Sequence, residues 1–206
     1  MGMKVLCFGS LNIDYTYKVP HFVKKGETLA SERLQVFGGG KGLNQSIALA
    51  KAGVPVYHAG IVGNDGDILL DACKEAGVNT KYIRRLPVKG GHTMIQVDKN
   101  AQNCIILYGG TNQMQTREFV DEVLADFGEG DYLILQNEIN MLDYIIDQAY
   151  EKKMKIVMNP SPFDDKLNSC DLGKVYLFLV NEIEGEQITG CKDKDQILDA
   201  LAEKYP

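Results

Sequence analysis

Little in this sequence suits a metal centre, a disulfide framework or a membrane. Its five cysteines, Cys7, Cys73, Cys104, Cys170 and Cys191, are odd in number and far apart. None forms a Cys-x-x-Cys pair, so neither a zinc site nor a set of structural disulfides is indicated, and reduced thiols in a cytoplasm are the simplest reading. There are only three histidines, His21, His58 and His92, without metal-ligand spacing. No apolar run approaches the length that crosses a bilayer, and Met1 to Ser10 reads as a strand rather than a secretory leader. Lys and Arg number 22 against 28 Asp and Glu, a net charge of −6. That balance argues against a nucleic-acid surface and against a polybasic membrane patch.

What is present is an ordinary globular composition, 45% hydrophobic over 206 residues, enough for one large domain or one domain with a small appendage. Short apolar runs alternate with amphipathic stretches. Lys4–Gly9, Val56–Val62, Tyr82–Leu86, Tyr132–Leu135, Lys155–Met158 and Val175–Val180 read as strands. Leu43–Ala52, Asp67–Ala76, Thr116–Phe127 and Met141–Lys152 read as helices, with short helices on to Tyr205. This alternation predicts an α/β fold, a mostly parallel sheet with helices on both faces. Two stretches break the pattern. In 15–37, Tyr15, Tyr17 and Val19 alternate with polar residues. In 91–109, two extended runs flank Asp98-Lys99-Asn100, a hairpin signal. Both read as insertions that together make one antiparallel sheet, a lid or a dimer surface.

The chain is organised around Phe37-Gly38-Gly39-Gly40-Lys41-Gly42-Leu43-Asn44-Gln45, a glycine-rich loop that feeds a helix N-terminus. Free N–H groups there suit anions and hydroxyl-rich ligands, with Lys41 and Asn44 aimed at the same place. A tight strand-to-helix connection with a solvated lysine is the plainer alternative. A P-loop is excluded, because Gly42 follows Lys41 where Ser or Thr would hold magnesium. A dinucleotide fingerprint is excluded too, because the first strand runs into Gly9-Ser10-Leu11-Asn12 instead.

In an open α/β sheet, ligands bind beyond the carboxyl ends of the strands. Asn12 and Asp14 follow the first strand and share one face of an extended segment, so an amide and a carboxylate could hold a polyol; an Asx turn is the alternative. Gln136-Asn137-Glu138, Asn159-Pro160-Ser161-Pro162 and Asn181-Glu182-Ile183-Glu184 follow three further strands. Each could simply cap a helix, though all fall on the binding edge.

Gly9-Ser10-Leu11-Asn12-Ile13-Asp14, Gly39-Gly40-Lys41-Gly42-Leu43-Asn44-Gln45 and Asn181-Glu182-Ile183-Glu184, in that order, closely resemble the ribokinase branch of the phosphofructokinase-B-type carbohydrate kinases. The resemblance runs over essentially the whole chain. It implies transfer of the ATP γ-phosphate to the primary hydroxyl of D-ribose or a similar sugar. Another sugar or nucleoside kinase of the same superfamily is the alternative. By position, Asn12, Asp14, Gly40, Lys41, Asn44 and Glu138 would hold the sugar. Asn181 would contact nucleotide phosphate, and Glu184 would act on Mg2+ through water. A monovalent cation would have its site outside these residues. The insertions would form a lid that closes over the sugar and pairs two chains as a homodimer.

One element of the resemblance is absent. The family's general base belongs to a Gly-Ala-Gly-Asp motif at a helix N-terminus beyond the Asn-x-x-Glu segment. The only similar string here, Gly128-Glu129-Gly130-Asp131, precedes a strand pattern and comes before that segment. It reads as a loop, with Asp131 on the surface. The chain therefore reads as the N-terminal two-thirds of a kinase, with no catalytic residue of its own. A non-catalytic, sugar-binding and lid-dimerising fragment is the other reading.

Overall fold

The computed structural model describes residues 2–205. Its body is a six-stranded sheet in the order β10-β9-β8-β1-β4-β5. The strands are β1 (Val5–Phe8), β4 (Val56–Val62), β5 (Asn79–Arg85), β8 (Tyr132–Gln136), β9 (Lys155–Asn159) and β10 (Leu177–Phe178). Every neighbouring pair is parallel. Alternation along a strand explains why both faces are covered. Leu6 and Phe8 of β1 join a core with helices α3 (Arg117–Leu124) and α4 (Leu142–Glu151), through Phe119, Val120, Ile145 and Ile146. Val5 and Cys7 point the other way, toward Leu43 of α1 (Lys41–Lys51) and Leu69 and Cys73 of α2 (Asp67–Ala76). Helices α5 (Glu182–Thr189) and α6 (Lys194–Lys204) follow β10. Among the described residues no helix is long and apolar enough to cross a membrane.

The second sheet has the order β3-β2-β6-β7, from β2 (Asn12–Lys18), β3 (Arg33–Gly39), β6 (Gly91–Val97) and β7 (Asn103–Tyr108). The two expected insertions do make one sheet, but it is mixed rather than antiparallel. Pairs β2–β3 and β6–β7 are antiparallel hairpins, while β2 and β6 run parallel, with Asn12 opposite Gly91 and Asp14 opposite Thr93. The reason is connectivity. Strands β2 and β6 both leave from the carboxyl edge of the body, so they travel in one direction, and β3 and β7 return.

Other expectations need correction. Strand β2 begins at Asn12, ahead of the predicted insertion, so the two amide and carboxylate candidates lie within the second sheet. Strand β5 starts at Asn79, three residues before the predicted Tyr82. The predicted strand Val175–Val180 is regular only at Leu177–Phe178, because it pairs with β9 alone and is preceded by the 3-10 turn Leu172–Lys174. Asp131 is not a surface residue. It is 7% exposed, accepts from the N–H groups of Lys4 at 2.8 Å and Gly128 at 3.1 Å, and pairs with the Lys4 ammonium at 3.6 Å. It stands directly before β8, beside the start of β1, and so ties the amino ends of the sheet, the edge opposite the candidate site.

Candidate functional site

Two short connections at the carboxyl edge build the site. After β1 the chain passes through Gly9, Ser10 and Leu11 into β2, and β3 returns through Gly38 and Gly39 to start α1. The helix begins at Lys41, earlier than the sequence predicts, with Gly40 as its N-cap at φ 94°, a conformation that favours glycine. Gly42 is needed for another reason. A Cβ there would lie 2.4 Å from Ser10 N and 2.6 Å from the Gly9 carbonyl carbon, so only glycine lets the first turn of α1 sit against the β1–β2 connection.

The N-terminus of α1 is not a vacant anion site. Lys41 N–H donates to Glu138 Oε2 at 2.9 Å and Gly42 N–H to Ser10 Oγ at 3.2 Å. Leu43 N–H donates to the Ser10 carbonyl and Asn44 N–H to the Gly40 carbonyl, each at 3.0 Å. The Asn44 bond is the first turn-to-turn bond of the helix itself, and the three N–H groups ahead of it, those of Lys41, Gly42 and Leu43, are all taken. Glu138 supplies the negative charge that a helix N-terminus favours, and offsets the unfavourable position of Lys41 in the first turn. Its Oε1 holds the Lys41 ammonium at 2.8 Å, and its Oε2 also accepts from Ser10 Oγ. The carboxylate is 8% exposed and the lysine side chain 40%, so the ammonium keeps a face open to a ligand.

Beside this ion pair lies a pocket of about 330 Å³. It brings together all six residues expected from sequence to hold a sugar: Asn12, Asp14, Gly40, Lys41, Asn44 and Glu138. Reasoning from sequence missed its other walls. Thr93, Ile95, Ile105 and Leu107 come from β6 and β7, and Pro162 from the loop after β9. Thr93 and Ile95 alternate along β6 as strand residues on one face must. Only the parallel β2–β6 pairing, which the sequence does not reveal, puts that face beside Asp14. Thr93 Oγ1 donates to Asp14 Oδ1 at 2.6 Å. Burial raises the Asp14 carboxyl above its ordinary 3.8; the Thr93 hydrogen bond opposes this, and the nearby Glu138 charge adds to it. The pocket thus combines an ammonium, a carboxylate oxygen not bonded to Thr93 and amides with an apolar wall, a chemistry that suits a small polyol.

Asn181 and Glu184 do not line this pocket. Asn181 caps α5, its Oδ1 accepting from Glu184 N–H at 2.9 Å, and Glu184 Oε2 accepts from Asn181 N–H at 3.0 Å. This is the reciprocal capping box that the sequence left open as an alternative. Among the described residues no group of three or more His, Cys, Asp or Glu could hold a metal ion.

The family model described as pfkB family carbohydrate kinase matches residues 3–206. Over 204 residues the chain is 32% identical to a ribokinase of Haemophilus influenzae, with 95% of the chain covered. It is 30% identical to a deoxyribokinase of Salmonella typhi over 196 residues, with 91% covered. The chain spans 65% of the length of the first relative and 63% of the second. The structure of Arabidopsis thaliana ribokinase complexed with ribose and ATP superposes at a TM-score of 0.82, with 25% identity over 98% of this chain and 68% of that one. The body and the second sheet match the fold of such ribokinase neighbours.

Proposed function

Because the chain belongs to the pfkB family of carbohydrate kinases, we propose that it forms the sugar-holding part of an ATP-dependent kinase for D-ribose or a close relative such as deoxyribose. The observation that carries this reading is the convergence of Asn12, Asp14, Lys41, Asn44 and Glu138 on one pocket under the wall of Ile95, Ile105 and Leu107. Phosphoryl transfer needs mainly positioning of the acceptor and exclusion of water. In this reading Asp14 and the Lys41–Glu138 pair hold the hydroxyls, and the second sheet acts as a lid over them. The roles of Asn181 at nucleotide phosphate and of Glu184 toward magnesium belong to the same proposal. Their support is the spacing of the Asn-x-x-Glu segment and its place at the carboxyl edge.

The proposal extends to pairing of two chains through the lid. Strand β7 is an edge strand with Ile105, Ile106 and Leu107 all exposed, the kind of edge that invites a partner. Sedimentation of the wild type and of Ile106→Lys, a residue outside the pocket, tests it: a dimer that the substitution converts to monomer supports lid pairing.

The test of the sugar site is calorimetric titration with D-ribose of the wild type and of Asp14→Ala. Loss of a charge-assisted contact should weaken binding by about 2–4 kcal/mol, with little change in melting temperature. Equal affinity of the two proteins would overturn the assignment.

A further inference from the structure

Asn112 lies in the 3-10 turn Gly110–Gln113 that follows β7, and is buried. Its side chain grips the main chain of Leu11: Oδ1 accepts from the Leu11 N–H at 2.9 Å, and Nδ2 donates to the Leu11 carbonyl at 3.3 Å. A backbone N–H can only donate and a carbonyl can only accept, so these two bonds decide which end of the Asn112 amide is which. The same Nδ2 donates to Oδ1 of Asn12 at 2.7 Å. The orientation is thereby handed on: the Asn12 oxygen is taken by Asn112, and the atom left for the pocket wall is Asn12 Nδ2, which has no partner among the described residues. The fit is close, since a Cβ on Gly91 would lie 2.1 Å from Asn112 Nδ2 and 2.4 Å from Asn12 Oδ1.

We propose that Asn112 is a positioning residue that locks the Asn12 amide with its N–H donors toward the pocket, beside the acceptor oxygens of Asp14. The ligand class rests on the sugar reading above; the amide orientation rests on geometry alone. The pairing has a chemical consequence. A hydroxyl seated between Asn12 and Asp14 accepts from the amide and donates to the carboxylate, using both of its capacities. With the Asn12 amide reversed, that hydroxyl would face two acceptors with one proton; in either orientation a ligand atom that only accepts is excluded from Asp14. The site thus selects an alcohol over an ether or a carbonyl at that position.

The experiment follows the side-chain amide protons of Asn12 and Asn112 by NMR in the 206-residue chain near pH 7, for the wild type and Asn112→Asp, each titrated with D-ribose. In the wild type the Asn12 protons, which have no acceptor among the described residues, should exchange with water faster than those of Asn112, although both side chains are buried. In Asn112→Asp, whose introduced carboxylate cannot donate to Asn12, the Asn12 amide should turn round and its protons become protected, with ribose binding weakened about tenfold or more. Wild-type Asn12 protons as protected as those of Asn112 would overturn the inference, and this reading needs no variant to fold. Unchanged Asn12 exchange and unchanged affinity in a folded Asn112→Asp would also overturn it. A wild type that shows the predicted exchange pattern but binds no ribose supports the positioning role and overturns the sugar reading instead.

Discussion

At the scale of single residues, the site is governed by which polar atoms are already engaged. Thr93 holds one oxygen of Asp14, and burial has raised the Asp14 carboxyl above its ordinary value. Ribose affinity that depends on the Asp14 carboxylate should therefore fall on acidification at a higher pH than an exposed aspartate would give. Thr93→Val removes the one contact that lowers this pKa, so the acid limb of the affinity profile should move further up, and Thr93→Ser should restore it. Titration of ribose affinity between pH 4 and 7 checks both. His58 shows the opposite sign. It is buried beneath α1, its Nδ1 2.7 Å from Ser46 Oγ, and desolvation lowers its pKa from 6.5 to about 4, against a hydrogen bond with the Gly9 backbone that raises it. The unfolded chain takes up a proton near 6.5 while the folded chain resists until about 4. Stability should thus decline across that window as pH falls, by up to about 3 kcal/mol. Urea unfolding at a series of pH values should show this slope in the wild type and a flatter one in His58→Gln.

At the scale of elements, the critical contact is α1 against the β1–β2 connection. Gly42→Ala would gain about 1 kcal/mol of helix propensity. The added methyl, however, would overlap backbone atoms of Ser10 and Gly9 that have no rotamer to retreat into. The overlap should dominate, with a net loss of about 1–3 kcal/mol, and ribose binding should suffer with it; denaturant melts and calorimetry would measure the two effects. Local sequence carried most of the body. Val56–Val62 and Asp67–Ala76 have the predicted bounds, because the former is a mostly apolar run set between Pro55 and Gly63 and the latter closes on the left-handed Gly77. Long-range pairing was not legible. Nothing in Tyr15–Phe37 or Gly91–Gly109 says that β2 and β6 run side by side, so Thr93, Ile95, Ile105 and Leu107 could not be assigned to the pocket. Asp131 was misplaced for a related reason: its partner, the Lys4 N–H, is distant in sequence, and a glycine-flanked acid looks solvated until that partner is known. Gly40, Lys41 and Asn44 of the glycine-lysine loop do line the pocket, but the helix donors expected there for an anion are answered by Ser10 and Glu138.

At the scale of the whole molecule, the carboxylates that line the pocket are Asp14 and Glu138. Glu138 is engaged by Lys41 and Ser10, and Asp14 by Thr93. In the proposed reading both hold the sugar, and Glu138 is moreover taken by the N-terminus of α1 through the Lys41 N–H, which leaves neither of them as a general base. The 206-residue chain by itself should therefore bind sugar yet show no measurable ATP-dependent phosphorylation, since a missing base alone costs about 10²–10⁴-fold. A coupled ADP-release assay with ribose and magnesium ATP checks this. The outer edge of β10 should also drive self-association. Tyr176, Leu177 and Leu179 are exposed there, beside an apolar groove formed by Ala48, Leu49, Ala52, Ile134 and Val157. Light scattering should show concentration-dependent growth that Leu177→Lys reduces.

The parallel junction of β2 with β6 also sets an order of events in time. The second sheet owns no continuous stretch of chain: its two hairpins are separated by α1, β4, α2 and β5, all of which belong to the body. Each hairpin alone is a marginal ribbon, so the two should meet only after the intervening units have packed and brought Gly91 to Asn12. On refolding, the body should therefore acquire protected amides first and the β2–β6 ladder last, at a rate limited by that distant pairing. At equilibrium the same ladder should be the first to open, so the wall of the pocket breathes while its floor stays closed.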